Sequence, residues 1–264
     1  MNRPEQTEPE SDPRSDIESE VNARPESEGE DVSVPDGDVI DPEAGDEVEP
    51  AVIFENDEFM VLDKPSGWHT VRGKGDARGE QSVEAWLRKN DPETEHLPEA
   101  GLVHRLDRGT SGCLMVAKTL EASEILQEEL RDGRIEKRYL AVVKGRLRTK
   151  GQFVLHFVSR YRGSKKMRVS EDGVHTVRGK CRWWRRDDLF PGRGYQAVEV
   201  DLMGAGRRHQ VRSGMAFIGY PLVGDTLYGG PEHGRIMLHA WAVMIEKRRI
   251  EAPIPFGFGE IPDD

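Results

Sequence analysis

The residues best suited to chemistry in this sequence lie around one carboxylate. Asp107 stands between Arg105 and Arg108, and a Gly-Thr-Ser-Gly run follows at 109–112. Neighbouring guanidinium groups lower the pKa of a carboxyl group and keep it ionised at neutral pH. An ionised Asp on a glycine-rich turn can act as a nucleophile or as a base. Ion pairs that only stabilise a fold look the same in sequence, so this segment alone leaves both interpretations open.

Two further segments carry polar side chains that could complete a site with Asp107. Tyr139 lies in a strand-like run with basic ends, at 137–145. Another strand ends in a glycine turn at 204–206, and we expect a helix there that carries Arg207, Arg208, His209, Gln210 and Arg212. Helix N-termini and Arg forks both bind anions. The sequence has no metal-ligand spacing of His, Cys and carboxylates and no glycine-rich phosphate loop, so two common kinds of chemistry are missing.

Short strands and a few helices must position these residues. Apolar runs at 51–54 and 59–62 predict a hairpin, and Ser82 predicts the N-cap of a helix over 83–89. Further elements are predicted as a helix over 119–131 ended by Gly133, and as strands over 113–117, 137–145, 153–158, 177–184, 195–203 and 236–245. Strands and helices do not alternate regularly, which predicts an α+β fold with a mixed, mostly antiparallel sheet and flanking helices.

The charge of the chain is divided very unevenly. Residues 1–50 contain eighteen acidic and three basic residues, a net charge of −15, so the other 214 residues carry +4 of the total of −11. The first segment has too few apolar residues to offset chain entropy, and we predict a disordered acidic tail at 1–50 before a catalytic domain at 51–264. The tail is interpreted as a solubilising segment or as a mimic of nucleic acid, while the basic body indicates an anionic partner.

A basic loop at 160–168 has five basic residues and one Tyr in nine positions. This composition suits contact with phosphates and bases, and it equally suits a solvated surface loop. The two cysteines, Cys113 and Cys181, lie in apolar runs and are expected to be reduced core residues. No apolar run is long enough for a membrane span and no signal peptide is visible, so we expect a cytoplasmic protein without membrane contact. We also expect the protein to be a monomer.

The chain resembles the RluA family of RNA pseudouridine synthases. The segments that carry the resemblance follow one another in the family's order: LDKPSG at 62–67, HRLDRGTSG at 104–112, KRYLA at 137–141, GRRHQVR at 206–212, GD at 224–225 with YG at 228–229, and LHA at 238–240. The resemblance covers about residues 51–245. The chain departs from the family pattern at Arg208, where Thr is usual, and at Ser213 and Gly214. We expect no S4-like RNA-binding domain before residue 51.

The resemblance implies the pseudouridine synthase fold, with a central cleft in which a uridine of structured RNA, rRNA or tRNA, becomes pseudouridine. It also implies that the reaction needs no cofactor and no metal. Asp107 would be the catalytic carboxylate, which attacks the sugar, attacks the base or removes a sugar proton. Tyr139 would face the flipped uracil, and Arg212 would pair with Asp107 and keep it ionised. Arg105 would fill the space left by the flipped nucleotide, and Leu238 would line the base pocket.

Further RNA contacts are expected from the residues around these groups: His104, Arg108, Thr110, Arg207, His209 and Gln210. The two histidines could equally be structural hydrogen-bonding groups, and Arg207 could be part of a structural ion pair. One alternative function is a synthase-like domain that binds RNA during ribosome assembly, with catalysis secondary. Another is a nucleosidase or glycosidase, although such enzymes normally use two carboxylates and the sequence offers no clear partner for Asp107.

Overall fold

The computed structural model describes residues 48–73, 80–159, 164–173, 176–189, 192–259 and 261. The tail predicted at 1–50 lies outside these residues, apart from 48–50, and stays a prediction. Residues 160–163 of the basic loop also lie outside them. No helix in the described ranges is long and apolar enough to cross a membrane.

Ten strands in the described part of the chain form one sheet. They are β1 (Ala51–Glu55), β2 (Phe59–Lys64), β3 (Ser111–Ala117), β4 (Glu136–Lys144), β5 (Lys150–Ser159), β6 (Met167–Ser170), β7 (Val177–Arg185), β8 (Tyr195–Met203), β9 (Leu238–Ile245) and β10 (Arg248–Glu251). Their order is β1-β2-β3-β9-β4-β8-β7-β5-β6, and β10 pairs with β9. Only β3 and β9 pair in parallel among these strands, so the prediction of a mixed, mostly antiparallel sheet is confirmed.

Two apolar cores lie against this sheet because side chains along a strand alternate between its faces. Tyr139, Ala141 and Val143 of β4 belong to the larger core, together with residues of β8. Leu140 and Val142 between them belong to smaller clusters that include Trp241 and Met237. Strand β4 is buried along most of its length, which explains its nearly continuous apolar run.

Three helices flank the sheet in the described residues: α1 (Val83–Asn90), α2 (Leu120–Asp132) and α3 (Gln210–Phe217). Ser82 and Thr119 cap α1 and α2 through their side-chain oxygens, and Gly133 ends α2 in the left-handed conformation. The predicted helix at 207–212 begins only at Gln210. Residues 207–209 precede it because the chain leaves the glycine turn in a non-helical conformation, with a φ of 53° at His209.

Other boundaries differ from the prediction for local reasons. The turn expected at 109–112 lies at 107–110, where the Thr110 amide donates to the Asp107 carbonyl at 3.0 Å, and β3 already begins at Ser111. Strand β9 begins at Leu238 rather than at residue 236. The short strands β6 and β10 were not predicted because they are polar and lie at the margins of the sheet, so they lack an apolar signal.

Candidate active site

A cleft of about 620 Å³ opens between the segment after residue 102, strand β4 and the start of α3. Ten of the eleven predicted site residues line it: His104, Arg105, Asp107, Thr110, Tyr139, Arg207, His209, Gln210, Arg212 and Leu238. The glycine turn before α3 and the side chains of Gln127, Leu130 and Arg131 in α2 complete the wall. Residues far apart in sequence therefore meet in one opening.

Asp107 is the carboxylate at the centre of this cleft. Its side chain keeps 24% of its surface exposed, so it is accessible to a ligand. The loop that carries it is fixed by Thr70, whose hydroxyl donates to the Leu106 carbonyl at 2.9 Å and accepts from the Leu106 amide at 3.0 Å. The carboxylate thus stands on a segment with little freedom to move.

Lys64 supports the same loop from beneath, and sequence reasoning assigned it no role. It is fully buried, and its ammonium group donates to the carbonyls of Pro65 at 2.9 Å, Trp68 at 2.7 Å and Arg108 at 3.3 Å. Burial lowers the pKa of Lys64 to about 7, and the negative charge of Asp107 opposes that shift. The signal in the sequence was an Asp-Lys pair at the end of an apolar strand.

Arg212 is buried and contacts two carboxylates. Its Nε and Nη2 atoms donate to Asp225 Oδ2 and Oδ1 at 2.7 and 2.8 Å, and its Nη1 lies 3.5 Å from Asp107 Oδ2. The expected pair with Asp107 is present, but the closer and bidentate partner is Asp225, whose side chain is fully buried. Asp225 was missed as a site residue, although it belongs to the GD segment at 224–225.

Tyr139 lies on β4 where the pairing with β9 shifts its register, between Arg138 and Leu140. Such irregularities redirect a side chain relative to its neighbours. Burial, together with the negative charge of Asp107, raises the pKa of the Tyr139 phenol above its ordinary range. Tyr139 is therefore a neutral phenol at pH 7.

The residues at the start of α3 are tied to the neighbouring strands. Gln210 is buried, accepts from the Arg207 amide at 2.9 Å and donates to the Lys180 carbonyl at 3.0 Å, so it closes the turn. Arg207 is exposed and its Nε donates to the Arg178 carbonyl at 3.4 Å. Arg208 donates to the Ser164 carbonyl at 2.6 Å. Of these residues, Arg207 presents the most accessible charge to a ligand in the cleft.

His209 links the cleft to a neighbouring tyrosine. Its Nδ1 atom lies 2.8 Å from the Tyr228 hydroxyl, and its Nε2 atom lies 3.8 Å from Asp107 Oδ1. Burial lowers the pKa of His209, and so do the nearby charges of Arg212 and Arg208. The imidazole is therefore neutral at pH 7.

Two residues that are predicted to contact RNA, His104 and Arg108, have structural partners within the described residues. His104 Nε2 accepts from the Met115 amide at 3.1 Å, and burial lowers the pKa of His104 to about 3. Arg108 departs from the expectation because it does not line the cleft: its Nε donates to the Gly67 carbonyl at 3.1 Å and its Nη1 lies 3.3 Å from Glu80. The turn after Asp107 directs the Arg108 side chain away from the carboxylate.

Lys137 is a cleft residue that the sequence analysis passed over. It is buried, and its ammonium group donates to the Ala205 carbonyl at 3.0 Å. Burial lowers the pKa of Lys137 to about 8. The described residues contain no group of three or more His, Cys, Asp or Glu side chains that could hold a metal ion. The cleft thus combines an accessible carboxylate, a neutral phenol and several cationic groups.

The fold and the cleft define an α+β domain that places a carboxylate among cations suited to an anionic ligand. The model of the family of RNA pseudouridylate synthases matches residues 58–217, more than half of the chain, so the chain belongs to this family. The similar solved structures include human RNA Pseudouridylate Synthase Domain Containing 4, with a TM-score of 0.62, 18% identity and coverage of 78% of this chain and 89% of that chain. Human RNA Pseudouridylate Synthase Domain Containing 1 has a TM-score of 0.62 and 20% identity, with coverage of 86% of this chain and 87% of that chain. The predicted fold is confirmed.

Curated relatives carry the name ribosomal large subunit pseudouridine synthase D. The protein of Xanthomonas campestris pv. campestris is 40% identical over 179 residues, which are 68% of this chain and 51% of that protein. The protein of Pseudomonas aeruginosa is 34% identical over 190 residues, 70% of this chain and 55% of that protein. The chain spans about half the length of these relatives.

Proposed function

We propose that the protein isomerises uridine to pseudouridine in structured RNA. In this reaction the bond between N1 of uracil and C1′ of ribose breaks, the base rotates, and a bond forms between C5 and C1′. The proton on C5 is transferred to a base, and N1 gains a proton, so the product has the composition of the substrate. The observation that carries the proposal is the accessible Asp107 carboxylate beside Arg212 in a family-matched cleft.

The residues of the cleft divide the work of this reaction. Asp107 acts on the ribose or on the base, and Arg212 orients it, because the buried guanidinium lies 3.5 Å from the carboxylate oxygen Oδ2. Tyr139 is neutral and adjacent to the base, where it assists the removal of the C5 proton. Leu238, buried at the start of β9, supplies an apolar wall for the uracil. Arg105 is exposed on the loop that carries Asp107, and it fills the space that the flipped nucleotide leaves in the RNA.

The RNA is proposed to be ribosomal, with tRNA as the second choice. The support comes from relatives that are named for the large ribosomal subunit and are 34 to 40% identical. The catalytic unit is proposed to be residues 51–264, which include the matched range, and the acidic segment at 1–50 is proposed to lie outside it.

The nearest second carboxylate argues against a glycosidase. A retaining glycosidase needs a second carboxyl group that reaches the scissile bond. Asp225 is the other carboxylate bound to Arg212, but its side chain is fully buried and both of its oxygens accept from that guanidinium. It therefore serves Arg212 and does not face the ligand.

The proposal is tested with transcripts of large-subunit rRNA and of tRNA that carry tritium at C5 of uridine. Isomerisation releases this tritium, and chemical mapping then locates the pseudouridines. We expect release by the wild-type protein and none by Asp107→Asn. Full activity of Asp107→Asn, or release of free uracil in place of isomerisation, would contradict the proposal. RNA binding without any tritium release would favour a role in RNA binding alone.

A further inference from the structure

His209 lies between Asp107 and Tyr228, and its two ring nitrogens face different partners. Nδ1 is 2.8 Å from the Tyr228 hydroxyl, a hydrogen-bond distance. Nε2 is 3.8 Å from Asp107 Oδ1, within the range of an ion pair but too long for a good hydrogen bond. The two contacts together constrain which nitrogen carries the proton.

The Tyr228 hydroxyl decides the protonation of Nδ1. Its oxygen accepts a hydrogen bond from the Met167 amide at 2.9 Å, which leaves the phenolic hydrogen to be placed. Among the described residues, His209 Nδ1 is the acceptor in reach of that hydrogen. Donation to Nδ1 gives this hydrogen an acceptor among the described residues, so the arrangement in which Nδ1 accepts and carries no proton satisfies the hydroxyl.

The charge on Asp107 leads to the same tautomer. A neutral imidazole carries one proton, so an unprotonated Nδ1 requires a proton on Nε2. That N–H then faces the carboxylate oxygen Oδ1 of Asp107. The other tautomer would place the lone pair of Nε2 against a negative charge, which is unfavourable.

The groups around His209 keep it neutral. Asp107 and Asp225 favour its protonation, whereas burial and the charges of Arg212 and Arg208 oppose it, and the sum of these effects lowers its pKa. On the side of β6, the ammonium group of Lys166 lies 5.7 Å from the Tyr228 ring and adds positive charge. The neutral Nε2–H tautomer therefore holds at neutral pH.

We propose that His209 is a positioning residue for the catalytic carboxylate. Its Nε2–H donates to Oδ1 of Asp107 while Arg212 Nη1 donates to Oδ2, so two donors fix the plane of the carboxylate. These contacts measure 3.8 and 3.5 Å, and we expect both to shorten when a nucleotide binds in the cleft. Tyr228 selects the tautomer and links the carboxylate to β6. The proposal rests on the proposed function and deepens it.

Two substitutions at this position separate positioning from structure. In His209→Gln the amide nitrogen reaches the place of Nε2, so the donor to Asp107 is kept. In His209→Asn the amide reaches only the place of Nδ1, so the contact with Tyr228 is kept and the donor to Asp107 is lost. The φ of 53° at this residue favours Asn, which tolerates the left-handed region better than Gln.

We expect opposite orders for stability and for turnover. His209→Asn should be at least as stable as His209→Gln, yet its kcat should fall about 100-fold with little change in KM, since a small misplacement of a catalytic group costs roughly this much. His209→Gln should keep kcat within about 5-fold. A kcat of His209→Asn equal to or above that of His209→Gln would overturn the proposal, because a purely structural role predicts that order.

The tautomer can be read without any RNA. Two-dimensional ¹H–¹⁵N spectra of the imidazole nitrogens of the full chain should show Nε2 protonated and Nδ1 bare in the wild type. Tyr228→Phe should show a mixture, because the donor to Nδ1 is gone. Protonated Nδ1 in the wild type overturns the inference whatever the activity. A protein that shows bare Nδ1 but isomerises neither RNA contradicts the proposed function and, with it, the positioning role.

Discussion

Two polar clusters lie on either side of the junction between Thr110 and Ser111. The open cluster consists of Asp107, His209, Arg212, Asp225 and Tyr228. The closed cluster consists of Asp63, Lys64, Ser111, Arg235 and His239. Each contains carboxylate, arginine and histidine, but only the open cluster has an accessible carboxylate in the cleft.

In the closed cluster, the side chains of Ser111, Arg235 and His239 contact one another. Arg235 Nη2 donates to the Ser111 hydroxyl at 2.6 Å, and the same hydroxyl lies 2.8 Å from His239 Nδ1. The ring of Phe258 covers the Arg235 guanidinium at 5.6 Å. Groups that are enclosed in this way stabilise the junction of β3 and β9, where Ser111 pairs with His239.

Shifted pKa values do not distinguish the two clusters. In the closed one, burial raises the pKa of Asp63 to about 6 and lowers the pKa of His239 to about 4. In the open one, burial lowers the pKa of His209. Perturbed groups mark functional sites only on average, because structural networks perturb pKa values equally well. Access to the cleft is the feature that separates function from support.

The largest expected difference is between two Asp→Asn substitutions. Asp107→Asn should lower kcat by about 10³-fold or more, because it removes the reacting carboxylate without changing its shape. Asp63→Asn should keep wild-type turnover and should not lose stability at pH 7, because burial raises the pKa of Asp63 and the folded protein therefore disfavours its charged form. Tritium release and urea unfolding of both variants measure this. Equal losses of kcat in the two variants would remove the distinction between the clusters.

The second largest difference is expected between Lys substitutions of Arg212 in the open cluster and of Arg235 in the closed cluster. Arg212→Lys keeps a positive charge but loses the fork that binds Asp225, and breaking a buried pair costs about 3–5 kcal/mol. Its kcat should also fall about 100-fold, because the carboxylate loses a directed donor. Arg235→Lys loses the contact with Ser111 and should cost about 1–3 kcal/mol with turnover unchanged. A loss of kcat in Arg235→Lys as large as in Arg212→Lys would show that the closed cluster takes part in catalysis.

The sequence predicted the open cluster better than the closed one. Asp107, Tyr139 and Arg212 were found because each stands in a segment that resembles a family element. Asp225 stands in such a segment too, but its bond to Arg212 joins residues thirteen positions apart and depends on the burial of α3. The closed cluster also stands largely in segments that resemble the family, at 62–67, 104–112 and 238–240, but its contacts have no local signal. Ser111 and His239 meet only through the parallel pairing of β3 and β9.

Fold class and most elements were predictable because apolar periodicity is local. The boundaries that failed are those set by tertiary contacts. Helix α3 was placed too early because a positive φ at His209 cannot be read from residue type. Arg108 was assigned to RNA because a residue beside Asp107 in sequence looks adjacent in space, whereas the turn directs it to Glu80.

The third prediction concerns acid pH. His239 has a pKa of about 4 in the folded protein against an ordinary 6.5, so the unfolded chain binds more protons between these values. The contribution of neutral His239 to the free energy of unfolding is therefore fully present above about pH 6.5 and is lost as the pH drops towards 4. His104 acts in the same direction, while Asp63, with its raised pKa, acts in the opposite one.

His239→Asn isolates this contribution. Asn retains a polar group near the Ser111 hydroxyl but does not titrate. Between pH 6.5 and 4 it should lose less stability than the wild type, by at most about 3 kcal/mol, since one pKa unit corresponds to about 1.4 kcal/mol. Urea unfolding at several pH values measures the slope. Parallel curves for the two proteins would mean that His239 titrates normally in the folded state.

The smallest difference in activity and stability is expected between substitutions of two adjacent residues, Thr110 and Ser111. The Thr110 hydroxyl is buried, lines the cleft and has no hydrogen-bond partner within the described residues. Thr110→Val should therefore be neutral or stabilising by about 1 kcal/mol, while kcat/KM falls about 10-fold if RNA supplies the missing partner. Ser111→Ala removes the acceptor of Arg235 Nη2 and the partner of His239 Nδ1, and it should cost about 1–3 kcal/mol with kcat/KM unchanged.

These two adjacent residues place the border between the clusters at one peptide bond. Full activity of Thr110→Val would show that Thr110 does not belong to the open cluster, which would then consist of Asp107 and its partners alone. Loss of activity in Ser111→Ala at full stability would show that Ser111 takes part in function as well as in support of the fold. Because Ser111 begins β3 and Thr110 ends the turn of Asp107, the expected result ties function to the turn and stability to the strand.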